Sequence, residues 1–416
     1  MSKASLSCGR AASRWCKARV GFPPDLYPEL ISAWRGPRAG AHGLAREELY
    51  AVSRKVRDLS RGFTRDRELA GARYLSDPDL LGAYLLHFWP VSFVQVSLCL
   101  QMIRRLEGEP EVAEALDLGA GPGAASLALL ESGVHRVSAC DRSVAALALA
   151  RRIARGRGHD LQTRQWDASK STGQPTGRFD LVVMAHTLNE LWPGHPDRIE
   201  LRVALLQRIS ALLSPGGKLL VVEPALMKVA QDAIAVRDGL VAGGFEVLLP
   251  CIWQGNCPAL PQGTCHGEFD WSPPREMVRI SHAARIGRET LKMAWFVLRK
   301  REGAAAPGAA APGAAREPQQ PATPDGAAPA TPDGGLYRVV SEPLLSKSGR
   351  IRYLVCGPLG RFALSAPKQC ASPGMAPFFH LKRGEGIRFT GARKRESGWG
   401  LDEGSTVMVE ERVPRG

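Results

Sequence analysis

The sequence predicts an α/β protein in three parts: a helical N-terminal region, a mostly parallel sheet with helices on both faces, and a small β-rich module. Three observations predict this arrangement. Between residues 113 and 300, short apolar segments alternate with amphipathic helical segments. A glycine-rich turn follows the first apolar segment, as at the start of a nucleotide-binding unit. After residue 335 the pattern changes to short strands separated by turns.

The first 23 residues form a basic segment. It contains Arg10, Arg14, Lys17 and Arg19 but no acidic residue. This composition predicts a flexible basic arm. An organellar transit peptide has the same features, so both interpretations stay open.

Residues 24–112 show the spacing of helices. Apolar residues recur at helical intervals in segments 26–34 and 46–59, and Asp77, which precedes a proline, is a typical first residue of a further helix. The apolar run 88–100 is too short to cross a bilayer, so we expect no membrane association.

Residues 113–300 form the predicted sheet domain. Short apolar strands joined by crossover helices, such as 124–131 and 143–155, predict a parallel sheet that is buried on both faces. A turn-rich cysteine loop, 250–275, precedes the last strand and is followed by a predicted helix at 277–292. The predicted strands are 115–118, 136–139, 180–184, 218–222, 245–249 and 293–298.

The remaining residues divide into a linker and a module. Residues 301–335 are rich in Ala, Pro, Gly and Thr, cannot bury a core, and are expected to form a disordered linker. In residues 336–416, Lys and Arg outnumber Asp and Glu about two to one. A small basic β-module is a common nucleic-acid-binding form, and a basic module without that role is the alternative. The predicted strands are 337–341, 351–356, 387–390 and 406–410.

Charge and cysteine usage restrict the class of partner and the compartment. The formal net charge of +14 and the isoelectric point near 9.6 favour an anionic partner, most commonly nucleic acid. Nine cysteines at irregular spacing, without a signal peptide, do not fit a secreted disulfide scaffold. We therefore expect a reducing compartment, either the bacterial cytoplasm or the mitochondrial matrix.

A glycine turn after the first strand predicts a nucleotide site. Glycines let the backbone approach a ligand closely, and the following helix presents free N–H groups. The carboxylate of Asp141, at the end of the second strand, is placed to accept both ribose hydroxyls, and Asp167 is placed to accept an adenine amino proton. The predicted cofactor-binding residues are Asp117, Gly119, Gly121, Gly123, Asp141 and Asp167.

The predicted cofactor-binding residues, with the Pro-Gly-Gly turn at 215–217, resemble those of class I S-adenosylmethionine-dependent methyltransferases. The resemblance implies an S-adenosylmethionine site. The motif with which enzymes methylate exocyclic base amines is absent after the fourth strand. His186, Asn189 and Glu190 are the polar residues there, and loop anchoring explains them as well as acid–base chemistry does. The catalytic residue therefore stays unassigned.

Three cysteines in the turn-rich loop predict a metal centre. Cys251, Cys257 and Cys265 lie within fifteen residues, and thiolates suit zinc or iron–sulfur clusters. The loop has little apolar periodicity, so a metal would help to order it; three unrelated thiols are the alternative. Cys356 is the candidate for a fourth ligand, and His266 is the other candidate.

The methyltransferase-like core, the cysteine loop and the basic β-module together resemble the Rsm-twenty-two family of small-ribosomal-subunit methyltransferase-like proteins, found in bacteria and mitochondria. The segments that carry the resemblance are 83–90, 117–123, 188–191, 250–266 and 352–356. It implies that Cys251, Cys257, Cys265 and Cys356 hold a structural [4Fe–4S] cluster. It also implies binding to small-subunit rRNA and a role in small-subunit assembly and translation.

The function predicted first is therefore a methyltransferase-like protein that binds small-subunit rRNA and supports assembly of the ribosomal small subunit. A catalytically active rRNA methyltransferase is the alternative, and a small-molecule methyltransferase with a structural zinc is a third hypothesis. The chain is expected to be monomeric.

Overall fold

The computed structural model describes most of the chain. The predicted basic arm up to residue 20, the linker at 302–330, and Cys8 and Cys16 lie outside the described residues. The described residues are 21–36, 43–64, 74–107, 112–170, 172–287, 289–301, 331–346, 349–370 and 372–412.

Helices and strands occur in the predicted order. The helices are α1 (Leu26–Arg35), α2 (Arg46–Thr64), α3 (Pro78–Ala83), α4 (Trp89–Glu107), α5 (Ala124–Glu131), α6 (Val144–Gly156), α7 (Arg198–Ile209), α8 (Met227–Ala242) and α9 (Arg275–Ala284). The first eight strands are β1 (Glu114–Leu118), β2 (Arg136–Asp141), β3 (Gln162–Gln165), β4 (Phe179–Ala185), β5 (Leu213–Pro224), β6 (Phe245–Leu249), β7 (Gly267–Asp270) and β8 (Thr290–Lys300). The second eight are β9 (Tyr337–Val339), β10 (Leu344–Leu345), β11 (Arg350–Gly357), β12 (Gly360–Pro367), β13 (Gly386–Thr390), β14 (Arg393–Arg395), β15 (Gly398–Gly400) and β16 (Thr406–Glu411).

The first sheet has the strand order β3-β2-β1-β4-β5-β8-β6, with β7 paired to β8. The strands from β3 to β5 run parallel, and β8 is antiparallel to both of its neighbours on the path. Apolar clusters cover the two faces of this sheet. The predicted fold class, an α/β protein with a methyltransferase-type sheet, an N-terminal helical region and a C-terminal β-module, is confirmed.

The end of this domain differs from the prediction. The helix predicted at 277–292 ends at Ala284, because Arg285 adopts a left-handed conformation with φ of 57°. Strand β8 starts at Thr290 instead, and the unpredicted β7 pairs with it. Exposed and buried residues alternate at the start of β8, which is the strand period rather than the helical one.

The N-terminal helices form a cap on the sheet domain. Asp77 accepts hydrogen bonds from the backbone N–H groups of Asp79 and Leu80, which confirms it as the residue that begins α3. A wide turn at Tyr84–Phe88 joins α3 and α4 into one helical stretch. Pro78–Leu106 is long and apolar enough to cross a membrane, with a mean hydropathy of 1.4, but 83% of its most apolar window is buried inside the protein. The predicted run 88–100 is thus part of a longer helix that packs as a core element.

The second sheet has the order β14-β15-β12-β11-β9-β13-β16, with β10 paired to β11. Its core contains Tyr337, Tyr353 and Phe378, all fully buried. Four of its strands were not predicted, because β10, β12, β14 and β15 are short or contain arginine and glycine. Asp333, at the end of the predicted linker, accepts the backbone N–H groups of Gly391 and Ala392 and so belongs to the module.

Polar contacts join the module to the sheet domain. The Arg338 side chain donates to the Pro250 carbonyl at 3.0 Å, directly before the cysteine loop. Lys382 pairs with Asp270 at 2.7 Å, and Arg383 lies 3.8 Å from Glu268. The two parts are therefore held together around the segment that carries the cysteines.

Candidate functional site

The glycine turn lies where β1 ends and α5 begins. Gly119 and Gly121 have φ values of 74° and 52°, which side chains rarely adopt. A Cβ atom at Gly119 would also lie 2.3 Å from the Thr187 side chain. The N–H groups of Gly119 and Ala120 donate to the Cys140 carbonyl, which fixes the turn against β2. Glycine is thus required there by conformation and by space.

Asp141 holds the other side of this turn. One carboxylate oxygen accepts from the backbone N–H of Gly121 at 2.8 Å, and the other accepts from that of Ser143 at 2.7 Å. Burial raises the pKa of Asp141, while these hydrogen bonds lower it. Each oxygen keeps a further lone pair for a ligand hydroxyl.

Asp117 and Asp167 have different surroundings. Asp117 is buried and accepts from the Ser126 hydroxyl at 2.6 Å, so it links β1 to α5; burial raises its pKa to about 7. Burial also disfavours the charge of Asp167, but hydrogen bonds from Ser169 and nearby positive charges lower its pKa overall. The predicted cofactor residues therefore surround one end of the parallel sheet, with Asp117 in a supporting position.

The segment after β4 forms a constrained turn. His186 and Trp192 have φ values of 58° and 51°, which are uncommon for residues with side chains. Between them Asn189 is buried and donates to the His186 carbonyl, while the Leu188 N–H donates to Glu223 at 2.8 Å. Asn189 is therefore a loop anchor, and strained turns of this kind concentrate at functional sites.

Gln95 orients the His186 ring. Gln95 donates its amide nitrogen to the Lys292 carbonyl at 3.2 Å, so its amide oxygen faces His186 Nε2 at 2.8 Å. Because an amide oxygen only accepts, Nε2 carries the hydrogen in this contact.

A cavity of about 740 Å³ opens beside this turn. We call it the large cavity; its walls come from α2, the helical stretch 84–95, the carboxyl ends of β4 and β5, the paired strands β7 and β8, and the loop between α9 and β8. His186, Asn189 and Glu190 line it, whereas the six predicted cofactor residues do not. The large cavity therefore lies beside this turn and is distinct from the predicted cofactor residues.

Aromatic rings form one wall of the large cavity. Tyr84 and Phe88 stack with ring centroids 5.9 Å apart, and Phe63 meets Phe88 edge to face at 5.4 Å. The charges of Glu190, Asp141 and Asp117 add to burial in raising the pKa of Tyr84. This wall thus lies close to both the turn and the predicted cofactor residues.

The four predicted metal ligands line a second cavity. This cysteine cavity measures about 60 Å³ and is lined by Cys251, Cys257 and Cys265 from the sheet domain and by Cys356 from β11 of the module. Burial, with smaller contributions from the charges of Cys265 and Cys257, raises the pKa of Cys356 to about 12. The structure therefore brings together thiols from both sides of the linker.

Arginines surround the cysteine cavity. Arg237, Arg361 and Arg383 lower the pKa values of thiols that burial has raised. Within the described part of the chain, the buried Nε and Nη1 atoms of Arg361 have no hydrogen-bond partner. Unpaired buried cationic nitrogens beside four thiols are suited to an anionic group.

Side chains also order the cysteine loop. Arg237, buried in α8, donates to the carbonyls of Trp253 and Gly255, and the Asp238 carboxylate accepts the Cys257 N–H at 2.9 Å. Gln254 pairs with the backbone of β6 through both its amide oxygen and its amide nitrogen. Protein side chains therefore contribute to the order of this loop, for which the sequence indicated a metal as organiser.

Both candidate fourth ligands, Cys356 and His266, line the cysteine cavity. The charges of Cys265, Cys257 and Cys356 add to burial in raising the pKa of Cys251. Burial and the charge of Arg383 lower the pKa of His266 to about 4, which keeps its imidazole neutral, the form that binds a metal. Both residues therefore stay candidates.

Among the described residues, no three His, Cys, Asp or Glu side chains are arranged to hold one metal ion. Structural zinc needs four ligands within about 2.3 Å of one point. Cys251, Cys257, Cys265 and Cys356 line the cysteine cavity without that compact arrangement.

Several residues of these sites were not predicted. Glu223 is the second-last residue of β5, Gln95 and Phe88 belong to a helical stretch that looked apolar, and Arg361 lies in an unpredicted strand. A charged residue at the carboxyl end of a strand was the one signal that could have singled out Glu223. The roles of Gln95, Phe88 and Arg361 depend on contacts between segments that are distant in the sequence.

The comparisons with known proteins support the sheet domain. Residues 115–217 match the family model described as a methyltransferase domain. No curated protein matches the chain. The chain therefore contains a methyltransferase-like domain within a larger α/β fold.

Solved structures match over part of the chain. An S-adenosylmethionine-bound amino pentose methyltransferase from Micromonospora echinaspora is 27% identical, with 32% of this chain and 50% of that chain covered and a TM-score of 0.26. A methyltransferase from Mesorhizobium loti is 26% identical, with coverages of 30% and 53% and a TM-score of 0.24. A ribosomal protein L11 methylase from Lactobacillus delbrueckii is 15% identical, with coverages of 50% and 80% and a TM-score of 0.31. The chain spans about half the length of the first two.

Glu223 predicts a pH-dependent stability difference. Burial raises the pKa of its carboxyl from 4.5 to about 7, so the folded state favours the protonated form. That stabilisation is complete below pH 4.5 and is lost as the pH rises through 7. We expect Glu223→Gln to gain roughly 3 kcal/mol in free energy of unfolding relative to wild type between pH 4.5 and 8.

Urea denaturation over this pH range measures the difference. Glu200→Gln, which changes an exposed glutamate of α7, is the matched control and should follow the wild-type profile. If the difference in free energy of unfolding between Glu223→Gln and wild type were the same at all pH values, the raised pKa of Glu223 would be contradicted.

Proposed function

We propose that this chain is a methyltransferase-like protein that binds small-subunit rRNA and supports assembly of the ribosomal small subunit and translation. In this proposal it holds a structural [4Fe–4S] cluster and binds S-adenosylmethionine. The observation that carries the proposal is the meeting of Cys251, Cys257, Cys265 and Cys356 at one cavity. Those cysteines are the specific part of the resemblance to the Rsm-twenty-two family.

The S-adenosylmethionine site is supported by the turn between β1 and α5. The methyltransferase family model covers this turn together with Asp141 and Asp167. When bound, the cofactor would supply an electrophilic methyl group. The chain would contribute the backbone N–H groups at the start of α5, the free lone pairs of Asp141 and the ionised Asp167.

The cluster is supported by the chemistry around the cysteine cavity. Four thiolates around a [4Fe–4S] core leave a net negative charge. Arg237, Arg361 and Arg383 place positive charge beside it, and Arg361 has buried donors that need acceptors. Because Cys356 belongs to the module, a cluster there would fasten the module to the sheet domain.

RNA binding is supported by charge on the module. Arg393, Lys394 and Arg395 are all exposed on β14, the edge strand of the second sheet. The Lys394 ammonium lies 5.1 Å from the centre of the Trp399 ring on the neighbouring strand. The nearby Arg395 adds to burial in lowering the pKa of Arg350. This edge has excess positive charge and one aromatic ring, as RNA backbones require.

Metal analysis of anaerobically purified protein tests the cluster. We expect about four irons and four sulfides per chain, with the absorption of an iron–sulfur protein. Cys356→Ser should lose them, since it removes one of four ligands. Cys370→Ala, a buried cysteine of the same module, is the control and should retain them.

Two other results would change the identification of the metal centre. Stoichiometric zinc that survives Cys356→Ser but not His266→Ala would identify a zinc site with the alternative ligand. Absence of metal from wild-type protein would contradict the cluster and remove the main support for the ribosomal role.

Filter binding with small-subunit rRNA at several salt concentrations tests the edge strand. Arg393→Ala combined with Lys394→Ala should weaken binding about tenfold and flatten the salt dependence, because two phosphate contacts are lost. Lys170→Ala, an exposed lysine of the sheet domain, should bind as wild type does. Binding of the double variant with unchanged affinity and salt dependence would exclude this surface.

The alternative function, an active rRNA methyltransferase, is favoured by one observation. The large cavity opens beside the strained turn and is lined by His186, whose ring Gln95 orients. Radioactive methyl transfer from S-adenosylmethionine to pre-ribosomal particles measures this activity. Asp141→Ala should abolish transfer and weaken S-adenosylmethionine binding in calorimetry, whereas Asp160→Ala, an exposed control, should change neither. Binding without transfer in wild type would favour the scaffold function.

A further inference from the structure

Two side chains that line the cysteine cavity carry hydrogen-bond donors without a partner in the described part of the chain. They are the indole of Trp295, on β8, and the guanidinium of Arg361, on β12. Trp295 is 2% exposed, and its Nε1 atom is buried, as are Nε and Nη1 of Arg361. Indole and guanidinium N–H groups can only donate, so both residues need an acceptor that the described residues do not provide.

The strands place both donors beside the segments that carry the cysteines. Arg361 lies directly opposite Cys356 in the antiparallel pair of β11 and β12. Side chains opposite each other in such a pair lie on the same face, with Cβ atoms about 5 Å apart. The indole nitrogen of Trp295 lies 2.9 Å from the position that a Cβ atom at Gly267 would take, two residues after Cys265. Gly267 also lines the cysteine cavity, so this nitrogen lies at the cavity wall.

The acceptor that suits these donors is a sulfur atom of a cluster. Among the described residues, none of the four thiols accepts a hydrogen bond from the buried nitrogens of Trp295 or Arg361. A zinc ion brings no acceptor of its own, whereas a [4Fe–4S] core presents inorganic sulfides and carries a net negative charge together with its four thiolates. Hydrogen bonds to these sulfurs are among the contacts by which a protein sets the reduction potential of a cluster.

We propose that Trp295 and Arg361 donate hydrogen bonds to the sulfur atoms of a [4Fe–4S] cluster in the cysteine cavity and thereby raise its reduction potential. The inference rests on the cluster proposed above; both side chains are positioning residues and neither is a ligand. Reduction adds one electron, and so one negative charge, to the cluster, while no bond forms or breaks. Donors and a positive charge stabilise the more negative reduced form more than the oxidised form, so removing either should lower the potential.

Redox titration of the anaerobically purified full chain tests the inference. Arg361→Met removes donors and a charge, and we expect it to shift the equilibrium between oxidised and reduced cluster at least tenfold toward the oxidised form. That shift lowers a one-electron potential by about 59 mV. Trp295→Phe keeps an aromatic ring but removes a neutral donor, so its shift should be severalfold in the same direction. The iron content should equal that of wild type, because no ligand is changed.

The controls carry the same replacements away from the cysteine cavity. Trp166→Phe changes an indole N–H that already donates to the Thr172 carbonyl at 3.1 Å. Arg388→Met changes an arginine of β13 that pairs with Glu410. Both should keep the wild-type potential. If Arg361→Met holds less iron than wild type, Arg361→Lys replaces it; this variant keeps the charge and should give a smaller shift in the same direction.

Pulsed electron paramagnetic resonance of the reduced cluster detects the contact itself. In protein with isotope-labelled indole nitrogens, we expect a coupling to one indole that is lost in Trp295→Phe and kept in Trp166→Phe.

A wild-type potential in either cavity variant, at full iron content, would overturn the assignment of that residue and leave the cluster proposal intact. Wild-type protein without iron would instead contradict the cluster proposal, and this inference with it. Iron analysis therefore separates the two failures.

Discussion

The parallel alignment of β1, β2 and β4 is the constraint on which the rest of the structure depends. Parallel strands carry their carboxyl ends to one edge, so the glycine turn, Asp141 and the His186 turn meet there although they lie far apart in the chain. The packing is close: Thr187 occupies the space that a side chain at Gly119 would need. The cofactor side and the large cavity are thus two sides of one turn.

The cysteine cavity imposes a second constraint, on the position of the C-terminal module. Cys356 reaches the cavity from β11, and Arg338 on the adjacent β9 donates to the carbonyl before Cys251. On the other side, α8 contributes Arg237 and Asp238 to the loop and Asp232 to ion pairs with Arg198 and Arg202 near the His186 turn. Helix α8 therefore contacts both the cysteine loop and the residues behind the large cavity.

Positive charge is concentrated on the module. The edge strand β14 exposes Arg393, Lys394 and Arg395, whereas the large cavity is lined mostly by uncharged residues. The two surfaces therefore present different chemistry to a ligand.

The sequence predicts the parallel sheet, the glycine turn and the three clustered cysteines, because strand period, turn chemistry and ligand spacing are local properties. It also indicated Cys356, through a family resemblance rather than through geometry. Only the tertiary structure decided that Cys356 and His266 both reach the cysteine cavity, that Gln95 orients the His186 ring, and that Glu223 is buried behind the turn. Each of these depends on contacts between segments distant in sequence, for which a local pattern carries no signal.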